Sequence, residues 1–188
     1  KKTLDKDFSF LLISRLLADK GIYEFINAIK ILKKENKKFT ALILGATEGL
    51  NPSSINKSEL NNWISEGLVI HENFTDDVRP FIYNSDCIVL PSYREGSSRI
   101  LQESISMGKP CLASNVPGCN NVIIDNFNGF LFEPKNSQSI VKVFLKTLNL
   151  SNNKYKIFSN NCLQFARNFD NHSTLFNYKI ILEKLEHD

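Results

Sequence analysis

Asp86-Cys87-Ile88-Val89-Leu90 is a short apolar run, and Cys111-Leu112-Ala113-Ser114 is another. Between them, Ser97–Met107 places apolar residues at helical spacing, and Gly108-Lys109-Pro110 closes that segment. Two buried strands joined by a helix of this length form a parallel βαβ unit, because parallel neighbours need a crossover connection. The same alternation runs outward in both directions. Upstream, Phe8–Ile13 and Phe39–Leu44 read as buried strands. Lys20-Gly21 opens a helix on Ile22, Phe25, Ile26, Ile29 and Leu32, and a shorter helix surrounds Leu60 and Trp63. Leu68–His71 is a weak strand, followed by a helix Asp76–Asn84 with Thr75 as its N-cap. Downstream, Pro117-Gly118 starts a helix to about Ile124, Gly129–Phe132 is a strand, and the chain is helical from Ser137. Breaks are expected near Asn149–Asn153 and Asn168–Asp170. The fold expected is α/β: a doubly wound parallel sheet of about six strands, with helices on both faces and a helical C-terminus.

Composition narrows the chemistry. The 188 residues are 42% hydrophobic and 23% charged, which is globular rather than disordered. No apolar run approaches the roughly 18–20 residues of a membrane-spanning helix, and the first residues lack the pattern of a signal peptide. The net charge of +3 comes from scattered cations, so nucleic acid is not indicated as a partner. Cys87, Cys111, Cys119 and Cys162 contain no C-x-x-C pair and read as buried free thiols of a reducing compartment. Asp5-Lys6-Asp7 mimics a metal motif but precedes the first strand, and no metal site is expected. His71 reads as a strand-end residue, His172 and His187 as solvated, and Trp63 as a packing anchor. Lys33-Lys34 and Lys37-Lys38 suit a helix C-terminus, or contact with anionic lipid. The strand almost at the first residue and the long helical end suggest a piece of a larger chain.

Ligands of open parallel sheets bind at the carboxyl ends of the strands. The residues expected there are Ser14, Arg15 and Lys20, then Gly45–Gly49, then Pro91–Arg99, then Asn115–Gly118. Cations beside small residues at helix starts suit a phosphate-bearing ligand. Neither GxGxxG nor GxxxxGK[ST] occurs, so dinucleotide and Walker sites lack their fingerprints. Arg99 lies in a first helical turn, where the dipole disfavours a cation by roughly 0.3–1 kcal/mol. Such a local cost marks a functional site, unless Arg99 simply pairs with Glu103 one turn on.

Glu95-Gly96-Ser97-Ser98-Arg99-Ile100-Leu101-Gln102-Glu103 resembles the E-x7-E motif of family 4 retaining GT-B glycosyltransferases. Ser14-Arg15 with Asp19-Lys20-Gly21 looks like that family's phosphate-binding pair, and Asn128-Gly129-Phe130-Leu131 like its N-G-[LF]-L strand. Pro91–Gly96, Pro117-Gly118-Cys119, Asn51-Pro52-Ser53 and Asp77-Val78-Arg79-Pro80 are similar to a bacterial subgroup that extends undecaprenyl-diphosphate-linked oligosaccharides, N-acetylgalactosaminyltransferases among them. Ser14 departs from the usual Gly, Gly45-Ala46-Thr47 from G-x-G, and Ser98 from Pro.

The resemblance implies the Rossmann-like, donor-binding half of a GT-B fold. Residues 1–7 would be a linker remnant, 8–168 the nucleotide-sugar domain, and 169–188 a helix crossing to an N-terminal domain not in this sequence. It implies transfer of a hexose or N-acetylhexosamine from a UDP-sugar to a glycan, or to an acceptor carried on undecaprenyl diphosphate. Among the catalytic residues implied, Arg15 and Lys20 would hold the diphosphate and Glu95 would meet sugar hydroxyls, or act as a covalent nucleophile. The amides of Gly96, Ser97, Ser98 and Arg99 would receive the sugar and distal phosphate, Glu103 the ribose hydroxyls, and Asn73, in the loop His71–Phe74, the base. UDP-sugar is a substrate, and neither cofactor nor metal is required. The location implied is cytoplasmic, with peripheral contact at the inner membrane's cytoplasmic face. A non-catalytic nucleotide-binding module, a sugar-nucleotide epimerase and a phosphorylase remain as alternatives.

Overall fold

The computed structural model describes residues 7–49 and 51–169. Its elements are β1 (Ser9–Ile13), a 3-10 turn Ala18–Lys20, α1 (Ile22–Lys34), β2 (Thr40–Leu44), α2 (Lys57–Ser65), β3 (Ile70–Glu72), α3 (Arg79–Asn84) and β4 (Cys87–Leu90). They continue with α4 (Arg99–Ser106), β5 (Cys111–Ser114), β6 (Gly129–Phe132), α5 (Ser137–Leu148), α6 (Asn152–Ala166) and a 3-10 turn Arg167–Phe169. The six strands pair in parallel in the order β3-β2-β1-β4-β5-β6. This is the Rossmann-type order, and it reverses direction between β1 and β4, where such sheets open a crevice.

Alternation along the strands builds a core on each face. Phe10, Leu12, Ala41, Ile43, Val89, Leu112 and Phe130 pack with α1, α2 and α5. Leu11, Leu44, Ile88, Leu90, Cys111 and Ala113 pack with α3, α4 and Cys162 of α6. The ring of Trp63 is buried against an edge-on Tyr23, so it is the expected packing anchor. Asn128-Gly129 is a structural signature: Asn128 accepts from the Ile124 amide and donates to the Val122 carbonyl. A Cβ on Gly129 would lie 2.0 Å from the Cys111 carbonyl oxygen, so only glycine lets β6 approach β5 there.

Two expected helices differ. The segment after Thr75 does not become helical until Arg79. Thr75 instead accepts from the Asp77 amide, and Asp77 accepts the Arg79 amide, a local side-chain turn that competes with helix. Pro117–Ile124 is not a helix: residues 117–122 form successive turns and the chain is irregular over Ile123 and Ile124. Gly118 there has φ +83, outside the helical region. The helix expected over Ser97–Met107 is shorter, and its N-cap is Ser98. The strand expected over Leu68–His71 lies at Ile70–Glu72. The expected C-terminal crossing helix, with His172 and His187, falls outside the described residues, as do Asp5 and Lys6.

All four cysteines are free and buried. Burial pushes the Cys87 and Cys111 thiols far up, and Cys119 and Cys162 up to about 12. A thiol-specific disulfide reagent at pH 8 is therefore expected to label essentially no cysteine until denaturant is added, and then all four. Fast labelling of the native protein would contradict this packing.

Candidate functional site

Three loops converge at the carboxyl edge of the sheet. The first follows β1 and begins with Ser14 and Arg15. Gly21 ends its 3-10 turn at φ +71, and a Cβ there would lie 2.1 Å from the Pro91 carbonyl oxygen. Glycine thus brings the start of α1 against the loop after β4, and it places Lys20 beside Glu95. Lys20 Nζ lies 2.8 Å from Glu95 Oε1, with the two side chains only 18% and 17% exposed. The two groups expected to serve phosphate and sugar therefore hold one another across 75 residues of sequence. Lys20 has three N–H donors, so one bond to Glu95 leaves others for an anion.

The third loop follows β5. Gly118 packs so closely on the Glu95 loop that a Cβ would sit 2.4 Å from the Glu95 carbonyl oxygen. Its own carbonyl accepts the Ser98 amide at 3.2 Å. Of the four amides expected to receive the ligand, the Ser98 N–H is engaged by this bond, whereas those of Gly96, Ser97 and Arg99 have no acceptor among the described residues. Ser98 is buried, and its hydroxyl caps α4 by accepting from the Leu101 amide. Gly96, Ser97 and Arg99 are exposed at that helix start, where the dipole favours an anion. Cys119 lies beneath, close enough to feel both Glu95 and Lys20.

Arg15 has another partner. Its guanidinium, 62% exposed, lies 3.1 Å from Glu48 Oε1 in the loop after β2. Hydrogen bonds from Asn51 and then Arg15 hold the Glu48 carboxyl below the usual carboxylate range. Arg15 and Glu48 line a cavity of about 390 Å³ with Ile13, Ser14, Leu44, Gly45, Ala46, Phe74, Thr75 and Val78. His71, expected at a strand end, is the middle residue of β3; it bonds the Gly45 carbonyl at 2.8 Å and so shapes this wall. Asn73 is exposed and is not among the lining residues, although Phe74 and Thr75 beside it are.

Glu103 is exposed on α4 and lines a neighbouring cavity of about 540 Å³ with Asp76, Asp77, Arg79, Gln102 and Ser106. Val78 lines both cavities, so they adjoin. Asp77 grips Arg79 in a bidentate pair, which offsets its charge. The Arg99–Glu103 pair is not formed, and neither side chain has an ion-pair partner among the described residues. Sequence reasoning placed Glu48 and Tyr93 on the ligand edge without their partners and missed Glu24; these residues meet their partners 33 and 69 residues away. No local pattern signals contacts of that separation. Among the described residues there is no group of three or more His, Cys, Asp or Glu able to hold a metal ion, and no helix long and apolar enough to cross a membrane.

Comparison with known proteins agrees with this architecture. Over 148 residues the chain is 26% identical to the capsular polysaccharide biosynthesis glycosyltransferase CapM of Staphylococcus aureus, covering 79% of this chain and 38% of that protein. It is 30% identical over 168 residues to the N,N'-diacetylbacillosaminyl-diphospho-undecaprenol alpha-1,3-N-acetylgalactosaminyltransferase of Campylobacter jejuni, covering 88% and 43%. It is 28% identical over 157 residues to the UDP-Gal:alpha-D-GlcNAc-diphosphoundecaprenol alpha-1,3-galactosyltransferase of Escherichia coli, covering 82% and 40%. The chain thus spans less than half the length of these curated relatives. Among solved structures, Anabaena HepE in complex with UDP superposes with a TM-score of 0.79 at 24% identity, over 97% of this chain and 50% of that one. The C-terminal domain of LpcC from Francisella tularensis gives 0.72 at 24%, over 85% and 84%. These two likenesses concern the fold. The family model for glycosyl transferases group 1 matches residues 1–165, and the chain belongs to that family.

Proposed function

We propose that this chain is the donor-binding half of a retaining glycosyltransferase that moves a hexose or N-acetylhexosamine from a UDP-sugar to a glycan acceptor carried on a lipid diphosphate. The observation that carries the reading is the Lys20–Glu95 pair beside the open amides of the α4 N-terminus, at the sheet's switch point. In this reading Lys20 and Arg15 take the charge of the departing diphosphate, which replaces the need for a metal. Glu95 meets sugar hydroxyls. The amides of Gly96, Ser97 and Arg99 take the sugar and distal phosphate, Glu103 the ribose hydroxyls, and the loop with Asn73 runs along the base. The lipid-linked acceptors named for the Campylobacter and Escherichia relatives support the acceptor class. They also support work at a membrane surface; in this reading that is the cytoplasmic face of the inner membrane, and the chain acts there with an N-terminal domain.

Calorimetric titration with UDP, GDP and ADP tests this. UDP is expected to bind selectively, and Glu103→Ala to weaken it at least tenfold, equivalent to about 1.4 kcal/mol. An intact protein that binds none of the three would sink the reading. UDP binding with a normal affinity in Glu103→Ala would remove Glu103 from the site.

A further inference from the structure

Tyr93 stands two residues before Glu95 and is fastened to the α1 side of the site at both ends. Its amide donates to the Asp19 carbonyl at 2.9 Å. Its hydroxyl donates to Glu24 Oε1 at 2.8 Å. Lys135 Nζ lies 4.8 Å from the centroid of its ring. Burial and the Glu24 bond push the Tyr93 hydroxyl up to about 12, so it remains a donor at neutral pH. Glu24 carries a cost for this contact: its Oε2 is buried without a hydrogen-bond partner. A local cost of this kind is retained where geometry matters.

In the donor-bound state the Lys20 ammonium serves Glu95 and the diphosphate together. The diphosphate competes for its charge, which weakens the anchor of Glu95 without breaking it. The Tyr93–Glu24 bond lies to one side of that competition. Only Arg94 separates Tyr93 from Glu95, so pinning Tyr93 at its amide and its hydroxyl restricts where the Glu95 backbone can go. We propose that Tyr93, held by Glu24, is a positioning residue that keeps the Glu95 carboxylate directed at the donor sugar when Lys20 shares its charge with the phosphate. This inference rests on the donor-site reading above.

The test compares UDP with UDP-glucose, UDP-galactose, UDP-GlcNAc and UDP-GalNAc on the intact protein, by calorimetry. The quantity read is the gain in affinity that the best sugar adds to UDP. Tyr93→Phe keeps the ring and the amide but removes the hydroxyl. It is expected to cut that gain by about tenfold while UDP itself stays within about twofold, because misplacement of a positioned group acts on its own contact. Glu24→Gln, which keeps an oxygen acceptor for the hydroxyl, is expected to retain most of the gain, and Glu24→Ala to lose it. An unchanged gain in Tyr93→Phe overturns the proposal. So does an equal fall for UDP and UDP-sugar, which would make the tie a general support of the fold. A wild-type protein in which no sugar adds affinity overturns it too, whereas failure to bind UDP at all would overturn the donor-site reading first.

Discussion

Lys20→Ala in the intact protein is expected to slow sugar transfer by about 10²–10³-fold, the usual loss when a preorganised charge is removed from a developing anion. The measurement is UDP release from the preferred UDP-sugar in the presence of acceptor. The substitution has a second effect, because Glu95 is only 17% exposed and would be left without its cation. Stranding a largely buried carboxylate destabilises a fold independently of any chemistry. The double variant Lys20→Ala/Glu95→Gln separates the two. It is expected to regain thermal stability relative to Lys20→Ala, because no buried charge is unpaired, yet to remain slow. A Lys20→Ala enzyme within about threefold of wild type would remove this lysine from the leaving-group role.

Phe144→Ala is expected to cost about 3–5 kcal/mol of stability, read from the urea midpoint at unchanged slope. Phe144 is fully buried on α5. Its ring stacks on Phe10 of β1 at 4.1 Å and 6°, and Phe25 and Phe39 meet it edge-on at 6.0 and 6.4 Å. Removing it opens a cavity where α1, α5 and the central strand meet, so the backbone cannot easily collapse to fill the space. Against a typical total of about 5–15 kcal/mol, such a loss is a large fraction of the whole. A cost below about 1 kcal/mol would mean that these rings do not form one packed unit. The site lies at the far end of α5, so nucleotide affinity at low temperature is expected to persist in this variant.

The strands other than β3 were readable because each is short, apolar and bounded by a glycine, a proline or a polar cluster. Ile70-His71-Glu72, by contrast, is mostly polar and lay beyond the apolar residues Leu68 and Val69. Cys87–Leu90 and Cys111–Ser114 needed nothing from the rest of the chain to be recognised. Helices with a clear apolar stripe, such as α1 and α5, were equally legible. The two helices that did not form as expected failed for different reasons, one of backbone geometry and one of local side-chain hydrogen bonds. At Pro117-Gly118, a glycine at positive φ accommodates the carbonyls of Glu95 and Gly96, and those neighbours are absent from any local window. At Thr75–Val78, hydroxyl and carboxylate side chains bonded nearby amides and postponed the helix.

By itself, the sequence determined the alternation of strand and helix, and so a parallel sheet whose carboxyl edge carries Arg15, Lys20 and Glu95. These follow from periodicity and from turn residues, which act over a few positions. Only the tertiary structure decided the pairings on that edge: Lys20 on Glu95, Arg15 on Glu48, Tyr93 on Glu24, and the Ser98 amide on Gly118. Each joins segments that follow different strands. Their geometry depends on how closely Gly21 and Gly118 let backbones approach, a property of the packed sheet edge that no single segment encodes.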